Sequence, residues 1–269
     1  MAQYSKFLGA AVAPDDNLVQ SGVNWYDAAR YCNWLSQAEG VPHDQWCYTA
    51  ARSADGGEIL ESAECFATRT GYRLRTEAEW DYACRAGTIT PRYFGNAAEL
   101  LPKYAWYYVN SGEKRHAAGL LKPNDWGLFD LYGNVWEWCH DVAVDGATPT
   151  ADGPAPAPEH SLRGAPYTAR PWFLFSSWRS TDAAITRDEL IGFRVARTMP
   201  GAESAEGAEC PIPDTSPSGA SLRVIRSGVY TFNAWYHQTG VRRSRYANYR
   251  QAGTGFRVAR TFPTFSSTD

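Results

Sequence analysis

The sequence predicts a mixed domain of two helices, short strands and extensive irregular backbone, and three observations carry that expectation. Two amphipathic segments begin with matched caps. The stretch from 88 to 141 is aromatic and rich in turn residues. The closing phrase GFRVART is spelled twice, at 192–198 and 255–261, at a constant offset of 63 positions. A period of that kind is an architectural statement, because each copy is one folded unit.

The elements follow in order. Asn24 precedes WYDAARYCNWLSQ, with Asp27 three residues on, which is a capping-box start. Ala28, Cys32 and Leu35 then share one helical face. The segment VPHDQWCYTAARSADGGEIL reads as loop with short strands. Thr76 opens a second helix, EAEWDYACRAG, with Glu79 at the box position and Gly87 as its C′ stop. RYFGN, YAWYYVN and KPNDWGLFDLYGNVWEW make up the aromatic middle. Two spacers rich in Pro, Ala and Gly, 142–159 and 199–221, read as surface excursions, each leading into one closing copy. The expected organisation is one compact domain: a core over 1–141, a first closing segment with its spacer over 142–200, and a second over 201–269.

The echo between the closing copies is ungapped. Arg163 returns as Arg226, Tyr167 as Tyr230, Trp172 as Trp235, Arg179 as Arg242, Arg187 as Arg250 and Pro200 as Pro263. Positions between them diverge: Ala169 against Phe232, Arg170 against Asn233, Leu174 against His237, Asp182 against Arg245, Ile185 against Asn248. A constant frame with divergent residues between is the pattern of a display surface.

Composition excludes several classes. The chain has 269 residues, 44% hydrophobic, and can bury a sizeable core. A formal charge of −3 argues against a nucleic-acid-binding body; VRRSRYANYR (241–250) is the basic exception, its tyrosines suited to stacking. Eleven Trp and sixteen Tyr exceed what a core wants, and their polar handles favour binding surfaces. The start, MAQY, lacks a basic region and an apolar run, and no apolar stretch approaches a membrane span. A cytoplasmic chain without membrane partners is expected. The six cysteines form no CxxC pair, so most are expected reduced and buried. In Cys139-His140-Asp141, adjacent strand residues face opposite ways and cannot form a relay.

Taken together, YRLRTEAEWDYACRAG (72–87), GLFDLYGNVWEW (127–138) and the two GFRVAR endings resemble the formylglycine-generating enzyme family of sulfatase-modifying-factor type. The resemblance covers about 22 to 200 and implies an α+β variant of the C-type lectin fold. It also implies a copper held by two closing-segment cysteines, five residues apart. Counted back from GFR, those positions are Ala169 and Leu174 in the first copy and Phe232 and His237 in the second. Soft copper needs thiolates, so no copper and no catalysis are expected. The five histidines have no HxxxH or HxH spacing, so the iron chemistry of a related branch is not expected either. The resemblance further implies a structural calcium held by Asp130, the carbonyls of Gly133 and Val135, and Glu137, ligand types that suit that ion. A second family calcium position falls on Trp106, which cannot ligate.

The second closing segment is also similar to the variable proteins of diversity-generating retroelements. Its mix of Tyr, Asn, Ser, Gly, Arg and Trp matches antibody paratopes. The expected ligand face is Tyr230, Phe232, Asn233, Tyr236, His237, Tyr246, Asn248 and Tyr249, with Trp235 as anchor or scaffold. Arg243 and Arg245 would pair with carboxylate or phosphate. The expectation is a non-catalytic module for a protein or peptide ligand, associated with a signalling or defence protein. Two alternatives stand beside it: a metal-dependent oxidoreductase of the same family, and a structural role for the extra copy.

Overall fold

The computed structural model describes residues 2–10, 18–52, 56–143 and 158–199, together with the backbone of 222–225 and 243–246. Both anticipated helices form where their caps place them. In α2 (Trp25–Ala38) the Asn24 side chain accepts the Asp27 amide at 2.8 Å, and the Asp27 carboxylate accepts the Asn24 amide at 3.3 Å. In α3 (Glu77–Arg85) Thr76 and Glu79 make the same exchange at 3.1 and 2.9 Å. Ala86 and Gly87 close α3 at φ 47° and 87°, the left-handed ending expected there. A third helix, α1 (Ala2–Phe7), was not legible, because six residues cannot display a 3.6-residue period. Tertiary contact defines it: Tyr4 and Phe7 pack on Tyr31, Trp34 and Phe193, with ring centroids 5.4 to 5.9 Å apart.

The strands are short. β1 (Tyr48–Arg52) and β2 (Glu58–Ser62) form an antiparallel ribbon with Tyr48 opposite Ser62. β3 (Tyr72–Leu74) leads into α3, and β4 (Ala105–Trp106) lies parallel to β5 (Tyr132–Gly133). The main sheet contains β6 (Trp136–Val142), β7 (Glu159–Arg163), β8 (Arg179–Ala183) and β9 (Ile191–Phe193), in the order β8-β7-β6-β9. β10 (Val195–Arg197) leaves that sheet and pairs antiparallel with β3. The first closing segment therefore supplies β7 to β10 and completes the core, with its Gly-Phe-Arg phrase alongside β6. Gly192 is required there: a Cβ would stand 2.2 Å from the Gln20 carbonyl oxygen.

Two apolar clusters fill the interior. Trp25, Tyr48, Trp138, Leu162 and Ile191 pack with α2, while Trp80, Leu131, Tyr132 and Leu174 pack with α3. Cys32, Cys47, Cys84 and Cys139 are free and buried, as expected of most of the cysteines. Among the described cysteines Cys65 is the exception and is disulfide-bonded, a state that reducing compartments do not favour.

β11 (Leu222–Ile225) and β12 (Arg243–Tyr246) lie in the second closing segment and pair antiparallel. Their register repeats the first copy at the same offset of 63: Leu222 faces Tyr246 as Glu159 faces Ala183, and Ile225 faces Arg243 as Leu162 faces Ser180.

Candidate functional site

The loop between β7 and β8 is built from the inside. At its start, Gly164 and Ala165 adopt φ of 97° and 66°, turning the chain under β5. The Gly133 amide then donates to the Gly164 carbonyl at 2.9 Å, and the Tyr167 amide to the Asn134 carbonyl at 2.9 Å. Gly133 cannot be another residue, because a Cβ would meet the Trp106 carbonyl oxygen at 1.9 Å. Pro171 opens a single 3-10 turn, Pro171–Phe173. Beneath it, buried Arg92 donates to the Leu174 carbonyl at 2.8 Å and the Pro171 carbonyl at 3.2 Å. Its guanidinium also lies 4.3 Å from the Phe175 ring centroid.

Outward, the loop and the segment at Tyr108, whose amide donates to the Ala169 carbonyl at 3.0 Å, present a different chemistry. Trp172, Tyr108 and Val109 are 56%, 56% and 65% exposed. The Arg170 guanidinium lies 5.3 Å from the Tyr108 ring centroid and 5.5 Å from that of Trp172. It has no acidic partner among the described residues. Two rings thus hold a cation in place, and among the described residues no hydrogen bond takes up its donors, an arrangement with the chemistry to pair a carboxylate. The sequence reading put Trp172 in the frame because it recurs as Trp235; the structure puts it on the surface. The contribution of Tyr108 and Val109 was missed, since only the fold brings 108 beside 170.

The two positions at which the resemblance places copper thiolates are sealed. Ala169 is 7% exposed and Leu174 fully buried. Nearby Cys84 is held by burial up to about 12, its Sγ 3.7 Å from Ser176 Oγ. Burial likewise raises Cys139 well above a normal thiol. Neither offers a thiolate at neutral pH.

The turn from Asp130 to Glu137 is a network of guanidiniums. Both Glu137 oxygens are taken: Oε2 by Arg75 and by the Trp80 indole at 2.8 Å, Oε1 by Arg194 at 2.6 Å. Burial alone would raise this carboxyl, but Arg194 and Arg75 overcome it and hold it at about 2. Arg194 also donates to the carbonyls of Phe129 at 2.9 Å and Asp130 at 3.5 Å. Asp130 accepts the Gly119 amide at 2.7 Å, and burial raises its pKa. Arg194 therefore occupies the cationic role at this turn. Calcium against Glu137 would face two guanidiniums, so Glu137 as placed does not fit as a ligand of a divalent ion. Among the described residues, no group of three or more His, Cys, Asp or Glu could hold a metal.

A Ser–His pair also lies in this half of the molecule. The His140 ring sits 2.8 Å (Nε2) from Ser62 Oγ and 3.3 Å (Nδ1) from the Tyr48 hydroxyl. Tyr48 also accepts the Leu74 amide at 2.9 Å. Burial lowers the His140 pKa to about 3, so the ring is a neutral imidazole between two hydroxyls, and its tautomer decides which of them it donates to.

Of the expected ligand-face residues, Tyr230, Phe232, Asn233, Trp235, Tyr236, His237, Asn248 and Tyr249 lie outside the described residues. For Arg243, Arg245 and Tyr246 only the backbone of β12 is described.

A family model, the sulfatase-modifying factor enzyme 1-like domain, matches residues 8–199, ending where the first closing segment ends. A formylglycine-generating enzyme of Streptomyces coelicolor is 31% identical over 209 residues, covering 68% of this chain and 65% of that protein. A Paenibacillus barcinonensis protein named chaperone protein LppX is 30% identical over 148 residues, covering 47% and 53%. The chain thus spans between about half and two thirds of these relatives' lengths. Among solved structures, Treponema denticola variable protein 1 superposes with TM-score 0.56 at 29% identity, covering 69% of this chain and 74% of that one. CarF superposes at 0.52 with 24% identity over 71% and 72%, a likeness of fold alone.

Proposed function

The chain belongs to the sulfatase-modifying factor enzyme 1-like domain family, and from that premise we propose that it is a non-catalytic binding module for a protein or peptide. The observation that carries the reading is the exposed platform of Tyr108, Arg170 and Trp172. It stands beside Ala169 and Leu174, where the thiolates of the resemblance are replaced by buried apolar side chains. Arg170 meets a carboxylate, and the flanking rings cover the ligand's apolar surface. The likeness to a treponemal variable protein supports a surface open to diversification. On that reading Tyr230, Phe232, Asn233, Tyr236, His237, Arg243, Arg245, Tyr246, Asn248 and Tyr249 extend the ligand repertoire, anchored by Trp235.

The enzymatic alternative rests on the formylglycine-generating relatives. One experiment separates the two: load the chain with copper in air and assay a cysteine-containing sulfatase-type peptide. No turnover is expected. Turnover abolished by Cys84→Ser or Cys139→Ser overturns the binding reading. For binding itself, selection from a random peptide library is expected to yield acidic, aromatic-containing peptides that Arg170→Ala and Trp172→Ala no longer retain. Comparing the same gene across close strains tests diversification, with substitutions clustered in 229–254 as the expected result.

A further inference from the structure

The first closing segment carries six arginines: Arg163, Arg170, Arg179, Arg187, Arg194 and Arg197. Five of them are ion-paired with acids of the core. Arg163 meets Glu77 at 2.9 Å and Asp81 at 3.1 Å, and Arg179 approaches Glu77 at 3.6 Å. Arg187 meets Asp27, Arg194 meets Glu137 at 2.6 Å, and Arg197 meets Glu39 at 3.0 Å. These acids lie on α2, α3, β6 and the end of α2, and together they form a cradle into which β7 to β10 settle.

The second closing segment repeats all five ion-paired arginines, as Arg226, Arg242, Arg250, Arg257 and Arg260. The sixth, Arg170, which contacts rings and no acid among the described residues, becomes Asn233. Gly192, where the Gln20 carbonyl forbids a side chain, recurs as Gly255. Val195 and Ala196, which pair with β3, recur as Val258 and Ala259. What recurs is the set of groups that the cradle reads, and β11 and β12 share the register of β7 and β8.

We propose that the cradle accepts either closing segment of the same chain, so that 222–261 is an alternative occupant of the place held by 159–198. Exchange would bring Phe232, Asn233 and His237 to the positions of Ala169, Arg170 and Leu174, beside Tyr108. The first segment is the resident because its interior fits better. Buried Leu174, Ile191 and His160 correspond to His237, Thr254 and Arg223, which are costlier to bury. The longer connection to the second segment adds only a logarithmic cost. The inference does not depend on the ligand-binding reading, since it concerns which segment completes the core.

The test uses full-length chains. The variant R163Q/R194Q removes two of the cradle contacts of the resident; adding R226Q/R257Q removes them from both segments. Wild type is expected to protect amides of 191–197 from hydrogen exchange. In R163Q/R194Q protection is expected to move to 254–260, with exchange there slowed about tenfold or more, and the protein to keep the oligomeric state of wild type and a cooperative thermal transition. The fourfold variant is expected to lose that transition, while R226Q/R257Q alone unfolds like wild type. The proposal is overturned if 254–260 gains no protection, or if the twofold and fourfold variants unfold alike. It is equally overturned if the protected R163Q/R194Q species is a larger oligomer than wild type, because the arm would then come from a second copy.

Discussion

The frame and the loop of the first closing segment are held by different physics. The frame, β7 to β10, is fixed by charge: Arg163 and Arg194 reach acids that are wholly or largely buried, and Glu137 answers two guanidiniums at once. The loop, 164 to 178, is fixed by backbone groups that Arg92 and Gly133 hold from beneath, and its outward side chains make few obligatory contacts. In the frame, then, a change of side chain strands a buried charge. On the outer loop it changes only what is presented to solvent. That asymmetry is what a variable surface on a fixed scaffold requires.

The comparison is broken most severely at Glu137. Glu137→Ala leaves Arg75 and Arg194 uncompensated in the interior and is expected to cost about 3–5 kcal/mol. Thermal unfolding should then shift by roughly 10–15 °C; a shift of a degree or two would mean the frame is not held by charge.

Acid should weaken the frame next. Burial holds His160 of β7 at about 4 and His140 of β6 at about 3. A base whose folded pKa is lowered contributes stability that is complete above its unfolded value near 6.5 and is lost as pH falls. Up to about 3 kcal/mol is expected to disappear between pH 6.5 and 4 for His160, and His160→Gln should flatten the melting profile over that range. Below pH 4.5, protonation pressure on Glu137 adds a further loss, since its folded pKa of about 2 is depressed.

Cutting the loop from its support has an intermediate effect. Arg92→Ala removes two charge-assisted bonds to the Leu174 and Pro171 carbonyls and is expected to cost about 2–3 kcal/mol. Hydrogen exchange should accelerate in 169–178 before it does in β7. Outer-face changes come lower. Arg170→Ala and Trp172→Ala are expected to move stability by less than about 1 kcal/mol while weakening peptide binding about tenfold or more. The smallest effect is expected from chelation: EDTA should leave the melting temperature within about 1 °C, whereas bound calcium would lower it on removal by mass action.

The parts legible in the sequence were those determined by local chemistry. Asn24 with Asp27 and Thr76 with Glu79 marked both principal helix starts, because a cap is settled by residues three apart. The short α1 was not legible, since aromatic packing on Tyr31 and Phe193 holds it rather than any pattern of its own. The acidic turn was readable as a cluster of oxygen ligands, yet Glu137 is claimed by Arg75 from 62 positions away. The Arg170 platform was barely legible: Arg170 stood out only as a position that diverges between the two copies, Trp172 read as frame, and Tyr108 arrives from another part of the chain.

By itself the sequence determined the two capped helices, the two closing phrases and the absence of thiolates at Ala169 and Leu174, because caps, repeats and residue chemistry are written locally. That 159–198 completes the core, that Trp172 faces solvent and that Arg75 and Arg194 answer Glu137 were decided only by the tertiary structure. Those outcomes depend on burial and on distances between residues far apart in the chain, where the cost of an unpaired charge selects the arrangement.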